Sequence, residues 1–269
     1  MNIRNIPTSF FSAACGTSTL LIGAIALLFC AAANATPTAA KQSCSMNQQR
    51  LSAEYTLTRK WDIRSAQTKN LTLWRNVSAH ASEVALQYPQ EAITEVWSRG
   101  NDGRSRPVRY FDDYQRGIEY FPDEVKGSAS DQVWQSKYQL IDDAFRKQMT
   151  LVSEAGEGCL RTETYELKKQ GKLYRLVWQP ASQLVVLYQE KAMSQLFTIE
   201  LQQTSEDSEQ IDQFFASRQA YQTTDYADVG DNESDPFLLK MMKLGFVQHG
   251  SSGFYNADGS KLGGGSHIH

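Results

Sequence analysis

Residues that could bind a metal ion lie in two segments near the C-terminal end of the chain. The first is the acidic segment 225–235, whose carboxylate and carbonyl oxygens are the ligands that hard cations prefer. We name as candidate ligands Asp225, Asp228, Asp231 and Asp235. The spacing differs from that of the D-x-D-x-D-G calcium loop. The alternative is a solvated loop in which Asp235 caps a following helix.

The second candidate metal site is the terminus, Gly263 to His269, where two imidazoles lie next to the free carboxylate. His267 and His269 could bind zinc, copper or nickel there. A disordered end is the alternative, because a flexible tail holds no ligand in place.

No pattern of a common hydrolase or nucleotide-binding fold occurs in the chain: Gly-x-Ser-x-Gly, His-Glu-x-x-His, a Walker motif and Gly-x-Gly-x-x-Gly are all missing. A serine or cysteine nucleophile would need a base, and His80 is the one histidine in the region predicted to form a sheet. We therefore predict no catalytic residue. We also predict no cofactor, with a divalent cation as the exception.

The N-terminal segment has the order of a secretory signal. Arg4 precedes an uncharged stretch, 10–33, which is followed by the small-residue site Ala33-Asn34-Ala35. We predict that residues 1–35 are removed and that the protein works in the periplasm or outside the cell, with membrane contact only through this segment. The alternative is an uncleaved membrane anchor.

Two cysteines remain after the predicted cleavage, and no CxxC spacing suggests zinc binding. Export would place both in an oxidising compartment, where one bridge across a long loop stabilises the fold. We predict a structural disulfide between Cys44 and Cys159.

The charge balance argues against nucleic acid as a partner. The chain has 27 Lys and Arg residues against 30 Asp and Glu residues, a formal net charge of −3. Basic residues are nevertheless dense between positions 99 and 116. We name Arg104, Arg106 and Arg109 as a candidate docking face for an anionic partner, with pairing to the acidic segment inside the molecule as the alternative.

The elements that would position these residues follow from hydrophobic periodicity. After a flexible leader, 36–50, apolar residues alternate with polar ones in several segments between 55 and 121 and again between 160 and 201. A helical stripe predicts one helix from Asp131 to about Met149. Two more helices are predicted, from about Asp207 to Tyr221 and from Ser234 to just before Gly245.

These elements predict one α+β domain over residues 51–249, followed by a Gly/Ser/His-containing tail, 250–269. We expect a curved, mostly antiparallel sheet, in the form of a half-barrel or meander, covered on one face by about three amphipathic helices. In outline this resembles exported lipoprotein-carrier and related periplasmic binding folds, although no motif residue assigns a family.

The leading hypothesis for function is an exported, soluble, non-enzymatic binding or carrier protein. Its sheet and helices would enclose a groove for an apolar small molecule or a protein segment. Two alternatives remain. One is a metal-dependent hydrolase or metal-handling protein that uses the acidic segment or the histidine tail, and the other is a structural envelope protein.

Overall fold

The computed structural model describes residues 46–79, 82–125, 129–232 and 234–243. Several predictions fall outside this part of the chain. They concern the signal segment 1–35, most of the leader, and Cys44, His80, His267 and His269.

Twelve strands form a single curved, open and largely antiparallel sheet in the described part of the chain. The strands are β1 Arg50–Trp61, β2 Arg64–Val77, β3 Ser82–Tyr88, β4 Ile93–Arg99, β5 Ser105–Phe111, β6 Arg116–Glu119, β7 Thr150–Ala155, β8 Thr162–Lys169, β9 Lys172–Gln179, β10 Leu184–Lys191, β11 Gln195–Ser205 and β12 Gln222–Asp225. Their order across the sheet is β12-β6-β5-β4-β3-β2-β1-β11-β10-β9-β8-β7. The parallel pair is β12 with β6, and every other neighbouring pair is antiparallel.

Within the described ranges, four α-helices accompany the sheet: α1 Asp131–Gln139, α2 Asp143–Arg146, α3 Ser208–Gln219 and α4 Pro236–Lys243. None of the helices in the described residues has the length and apolarity needed to cross a bilayer.

The single helix predicted from Asp131 to Met149 is wrong, because the chain breaks it into α1 and α2. Leu140 ends α1 in the left-handed region, at φ 61° and ψ 6°. Asp142 then caps α2 by accepting a hydrogen bond from the Ala144 N–H. Both pieces still pack their apolar stripe on the sheet, so the periodicity located the buried face but not the break.

Helices lie against both faces of the sheet, which corrects the expectation that one face is covered. Leu73 points to the face that α1 and α2 cover, and its neighbour Trp74 points to the opposite face. There the ring of Trp74 stacks on Phe214 of α3, with 4.0 Å between the centroids. The second face is apolar along β2 to β5, so it also needs a covering helix. The half-barrel form of the prediction is not confirmed.

Candidate functional site

A groove of about 520 Å³ lies between α1 and α2 on one side and β8, β9 and the β9–β10 turn on the other. We call it the aromatic groove. A volume of this size is within the range of ligand-binding clefts in proteins. Its walls are formed by Arg99, Asp131, Trp134, Gln135, Tyr138, Gln139, Asp143, Arg146, Glu163, Trp178, Pro180 and Gln183.

Aromatic rings supply the apolar part of this groove. Trp134 and Tyr138 follow each other at helical spacing on α1, so both face the sheet, and Trp178 extends from β9. The guanidinium of Arg99 lies 5.6 Å from the Trp134 ring centroid, and that of Arg146 lies 5.0 Å from the Trp178 centroid. These cations fix the orientation of the two indoles.

Amide groups and charged groups of both signs line the rim of the groove. The Asp143 carboxylate accepts hydrogen bonds from Arg146, at 3.0 Å, and from the Gln139 amide, at 2.9 Å. Partial burial favours the protonated form of Asp143, but these hydrogen bonds lower its pKa overall. On the opposite wall Glu163 accepts a hydrogen bond from the Tyr165 hydroxyl at 2.5 Å. The rim is therefore polar and already internally paired.

Arg75 holds the floor of the groove together from below. Its side chain is fully buried, and its Nε donates to the Tyr138 carbonyl at 2.7 Å. The terminal nitrogens donate to the carbonyls of Gln48, at 3.0 Å, Ser182, at 2.7 Å, and Gln183, at 2.6 Å. Burial lowers the pKa of Arg75 to about 10, so the side chain remains charged at neutral pH. One guanidinium thus joins the segment just before β1, the end of α1 and the β9–β10 turn.

A second buried charge cluster joins α1 to β4 and β5. Arg109 lies 2.6 Å from Glu95, and the Lys137 ammonium lies 3.7 Å from the other carboxylate oxygen of Glu95. All three side chains are buried. Burial lowers the pKa of Lys137 to about 8, against the opposing effect of Glu95. We interpret the cluster as a structural connection, because none of the three residues lines the aromatic groove.

The acidic segment has a structural role at Asp235. Its carboxylate accepts hydrogen bonds from the N–H groups of Phe237, at 2.8 Å, and Leu238, at 3.4 Å, and lies 2.9 Å from Arg116. This is the helix cap that the sequence offered as the alternative. Across the described residues, no three His, Cys, Asp or Glu side chains come close enough to hold a metal ion. A site involving Asp225, Asp228 and Asp231 stays a prediction, as does one at the histidine tail.

The candidate docking arginines find partners inside the molecule. Arg109 is fully buried against Glu95, so its assignment to a docking face is corrected. Arg104 pairs with Asp123, and Arg106 pairs with Glu119 at 3.1 Å. These two remain partly exposed, and their role in docking stays a prediction. Of the basic run, Arg116 is the residue paired with the acidic segment.

Cys159 lies in a short 3-10 helix, Gly158–Leu160, and its carbonyl accepts a hydrogen bond from the Gln179 amide at 2.9 Å. The predicted partner, Cys44, is outside the described residues. The disulfide therefore remains a prediction.

The buried charges that hold the groove and its helix in place were not predicted from the sequence. Arg75 follows Leu71 and Leu73 at the inward positions of β2, and Glu95 lies between inward Ile93 and Trp97 on β4. Lys137 is buried among the apolar residues of α1. The sequence did contain a signal for these buried charges. A charged residue stands at a position where the pattern requires an apolar one.

No protein-family model and no curated protein matches this chain. Among solved structures, it is similar to a chain of the Pseudomonas aeruginosa MucA/MucB complex at 13% identity and a TM-score of 0.35, over 61% of this chain and 56% of that one. It thus spans just over half the length of that chain.

Two further similarities involve shorter proteins. A DUF1329 family protein from Desulfovibrio piger has 9% identity and a TM-score of 0.33, over 62% of this chain and 89% of that one. A putative outer membrane lipoprotein-sorting protein domain from Vibrio parahaemolyticus has 7% identity and a TM-score of 0.32, over 64% and 92%. Likeness at this level supports no inference about function.

Proposed function

We propose that this protein is a non-enzymatic binding protein and that the aromatic groove receives an extended segment of a partner polypeptide. The observation that carries the proposal is the groove itself, in which Trp134, Tyr138 and Trp178 lie beside fixed charges of both signs. Indole and phenol rings offer large apolar contact area together with a polar edge, which is why they are enriched at recognition sites.

The mixed lining favours a polypeptide over a lipid chain. A lipid tail would desolvate the amide nitrogen and oxygen of half-buried Gln135 without satisfying them. A peptide can satisfy them with its own backbone N–H and C=O groups while its apolar side chains contact the indoles. Of the two ligand classes expected from the sequence, an apolar small molecule and a protein segment, we therefore propose the second.

The test is selection of phage-displayed 12-residue random peptides on the purified protein, followed by affinity measurement of the enriched peptides. Gln135→Trp places a bulky side chain from α1 in the groove. Gln213→Trp is the matched control, since Gln213 is an exposed glutamine on α3 and does not line the groove. We expect at least a tenfold loss of affinity in the first variant and no loss in the second.

A parallel titration with 11-(dansylamino)undecanoic acid separates the two ligand classes. Peptide binding that Gln135→Trp abolishes, with no uptake of the fluorescent fatty acid, supports the proposal. Binding of the fatty acid in the groove without any enriched peptide would contradict the proposal and would indicate an apolar small molecule as the ligand. Equal peptide affinity in both tryptophan variants would place the binding site elsewhere.

We also propose that residues 1–35 are removed and that the protein acts in the periplasm or outside the cell. Mass spectrometry of the intact protein after fractionation of the expressing cells tests this proposal. An N-terminus at Thr36 in the exported fraction is the expected result, and full-length protein retained in the cytoplasm would contradict it.

A further inference from the structure

Three hairpin turns lie side by side at one end of the sheet. The β1–β2 and β10–β11 turns adjoin because Trp61 pairs with Gln195 and the Asp62 N–H donates to the Ser194 carbonyl at 3.3 Å. The β8–β9 turn comes next, since Leu173 at the start of β9 pairs with Lys191 at the end of β10. We call residues 59–64, 168–172 and 190–194 the basic edge.

Positive charge is concentrated on the basic edge, although the whole chain carries a formal net charge of −3. The edge holds seven basic residues and two acidic ones, Asp62 and Glu190. Lys172 and Glu190 pair with each other at 2.6 Å, which leaves an excess of five positive charges here. The basic residues are Arg59, Lys60, Arg64, Lys168, Lys169, Lys172 and Lys191.

Two large apolar side chains project from the same edge into solvent. Ile63 is 91% exposed at the β1–β2 turn, and Met193 is 97% exposed at the β10–β11 turn. Each lies one residue from the hydrogen bond that joins the two turns. Neighbouring exposed apolar side chains with a rim of cations are typical of a surface that contacts a partner or a membrane.

We propose that the basic edge docks the protein on the surface of an anionic lipid bilayer. Lysine and arginine side chains are attracted to the negative surface potential, and exposed apolar side chains enter the boundary between headgroups and acyl chains. The charge of the edge is complementary to such a surface, and Ile63 and Met193 at the tips of neighbouring hairpins can enter it without a change of fold. This inference is independent of the aromatic groove.

Co-sedimentation with vesicles tests the proposal, with protein purified after expression of the full chain. Vesicles of phosphatidylcholine with 30% phosphatidylglycerol are compared with pure phosphatidylcholine. The pure vesicles report any binding by the N-terminal apolar segment, because that segment needs no anionic lipid. We expect binding to the anionic vesicles to be at least tenfold tighter and to weaken as salt increases.

Two double variants with matched controls locate the binding surface. Ile63→Ser with Met193→Ser should weaken anionic-vesicle binding at least fivefold, whereas Leu160→Ser, which changes a leucine that is 71% exposed in a different segment, should not weaken it. Lys168→Gln with Lys191→Gln should do the same, in contrast to Lys240→Gln with Lys243→Gln, which removes equal charge from exposed positions on α4. Circular dichroism confirms that each variant is folded.

Three results would overturn the proposal: no preference for anionic vesicles, equal losses in variants and controls, or unchanged binding after both apolar side chains are replaced. Binding to heparin or duplex DNA that matches the vesicle affinity would also overturn it, since the edge would then recognise polyanions in general.

Discussion

Replacing Arg75 by methionine tests whether one buried guanidinium holds the floor of the aromatic groove. Methionine keeps the apolar stem but removes every donor. Four backbone carbonyls then lose the guanidinium as a donor, those of Gln48, Tyr138, Ser182 and Gln183, and among them the Gln48 carbonyl still accepts from the Tyr138 hydroxyl at 2.7 Å. Three separate chain segments lose their common connection, and two of them carry groove residues.

The size of the effect follows from the desolvation of the carbonyls. Each buried acceptor that is left without a partner costs about 1 to 3 kcal/mol. Such costs are not additive, because carbonyls in a turn can move toward water. We therefore expect Arg75→Met to lower the free energy of unfolding by about 3 to 5 kcal/mol.

Arg104→Met is the matched control, since it removes a guanidinium that is 38% exposed and pairs with Asp123 at the surface. Exposed pairs contribute about 0 to 1 kcal/mol. The assay is urea unfolding at pH 7, followed by circular dichroism. A loss below about 1 kcal/mol in Arg75→Met, equal to the loss in the control, would refute the role assigned to this arginine. A large loss of stability in Arg75→Met with unchanged peptide binding would show that this arginine stabilises the fold without shaping the groove.

Three further predictions concern other contacts. Lys137→Met should remove a pH dependence of the free energy of unfolding. The pKa of Lys137 in the folded protein, near 8, lies below its value of about 10.4 in the unfolded chain. The wild type should therefore gain up to about 1.4 kcal/mol of stability per pH unit between pH 8 and 10 relative to the variant, and parallel plots of stability against pH from urea unfolding would contradict this. Asp235→Ala removes a helix cap and the ion pair with Arg116, so we expect a loss of about 1 to 2 kcal/mol in thermal unfolding, with Asp231→Ala unchanged as the control. Peptides containing Cys44 and Cys159 should be joined in a non-reduced digest, and alkylation of both cysteines without reductant would contradict the disulfide.

Sequence periodicity predicted most of the strands because inward and outward positions alternate strictly along them. The residues Tyr55 and Leu57 on β1, and Val84 and Leu86 on β3, are packed in the core as the pattern requires. The edge strands β7 and β12 were missed. β7 is exposed along its whole length and β12 has four residues, so neither has an apolar side to generate a pattern.

The aromatic groove could not be predicted, because it depends on contacts between distant segments. The local sequence pattern predicts Trp134 as a core residue of a helix and Trp178 as a core residue of a strand. That both residues line one groove depends on the turn at 180–183, which Arg75 holds from β2. Local patterns carry no information about such a long-range connection.

The most direct test of the proposed binding site is the response of the tryptophan indole N–H signals in ¹⁵N NMR spectra. The chain has five tryptophans, of which Trp134 and Trp178 line the groove. On addition of a selected peptide, these two signals should shift while those of Trp61, Trp74 and Trp97 stay in place. Shifts confined to the latter three, or the same shifts in Gln135→Trp, would contradict binding at the groove.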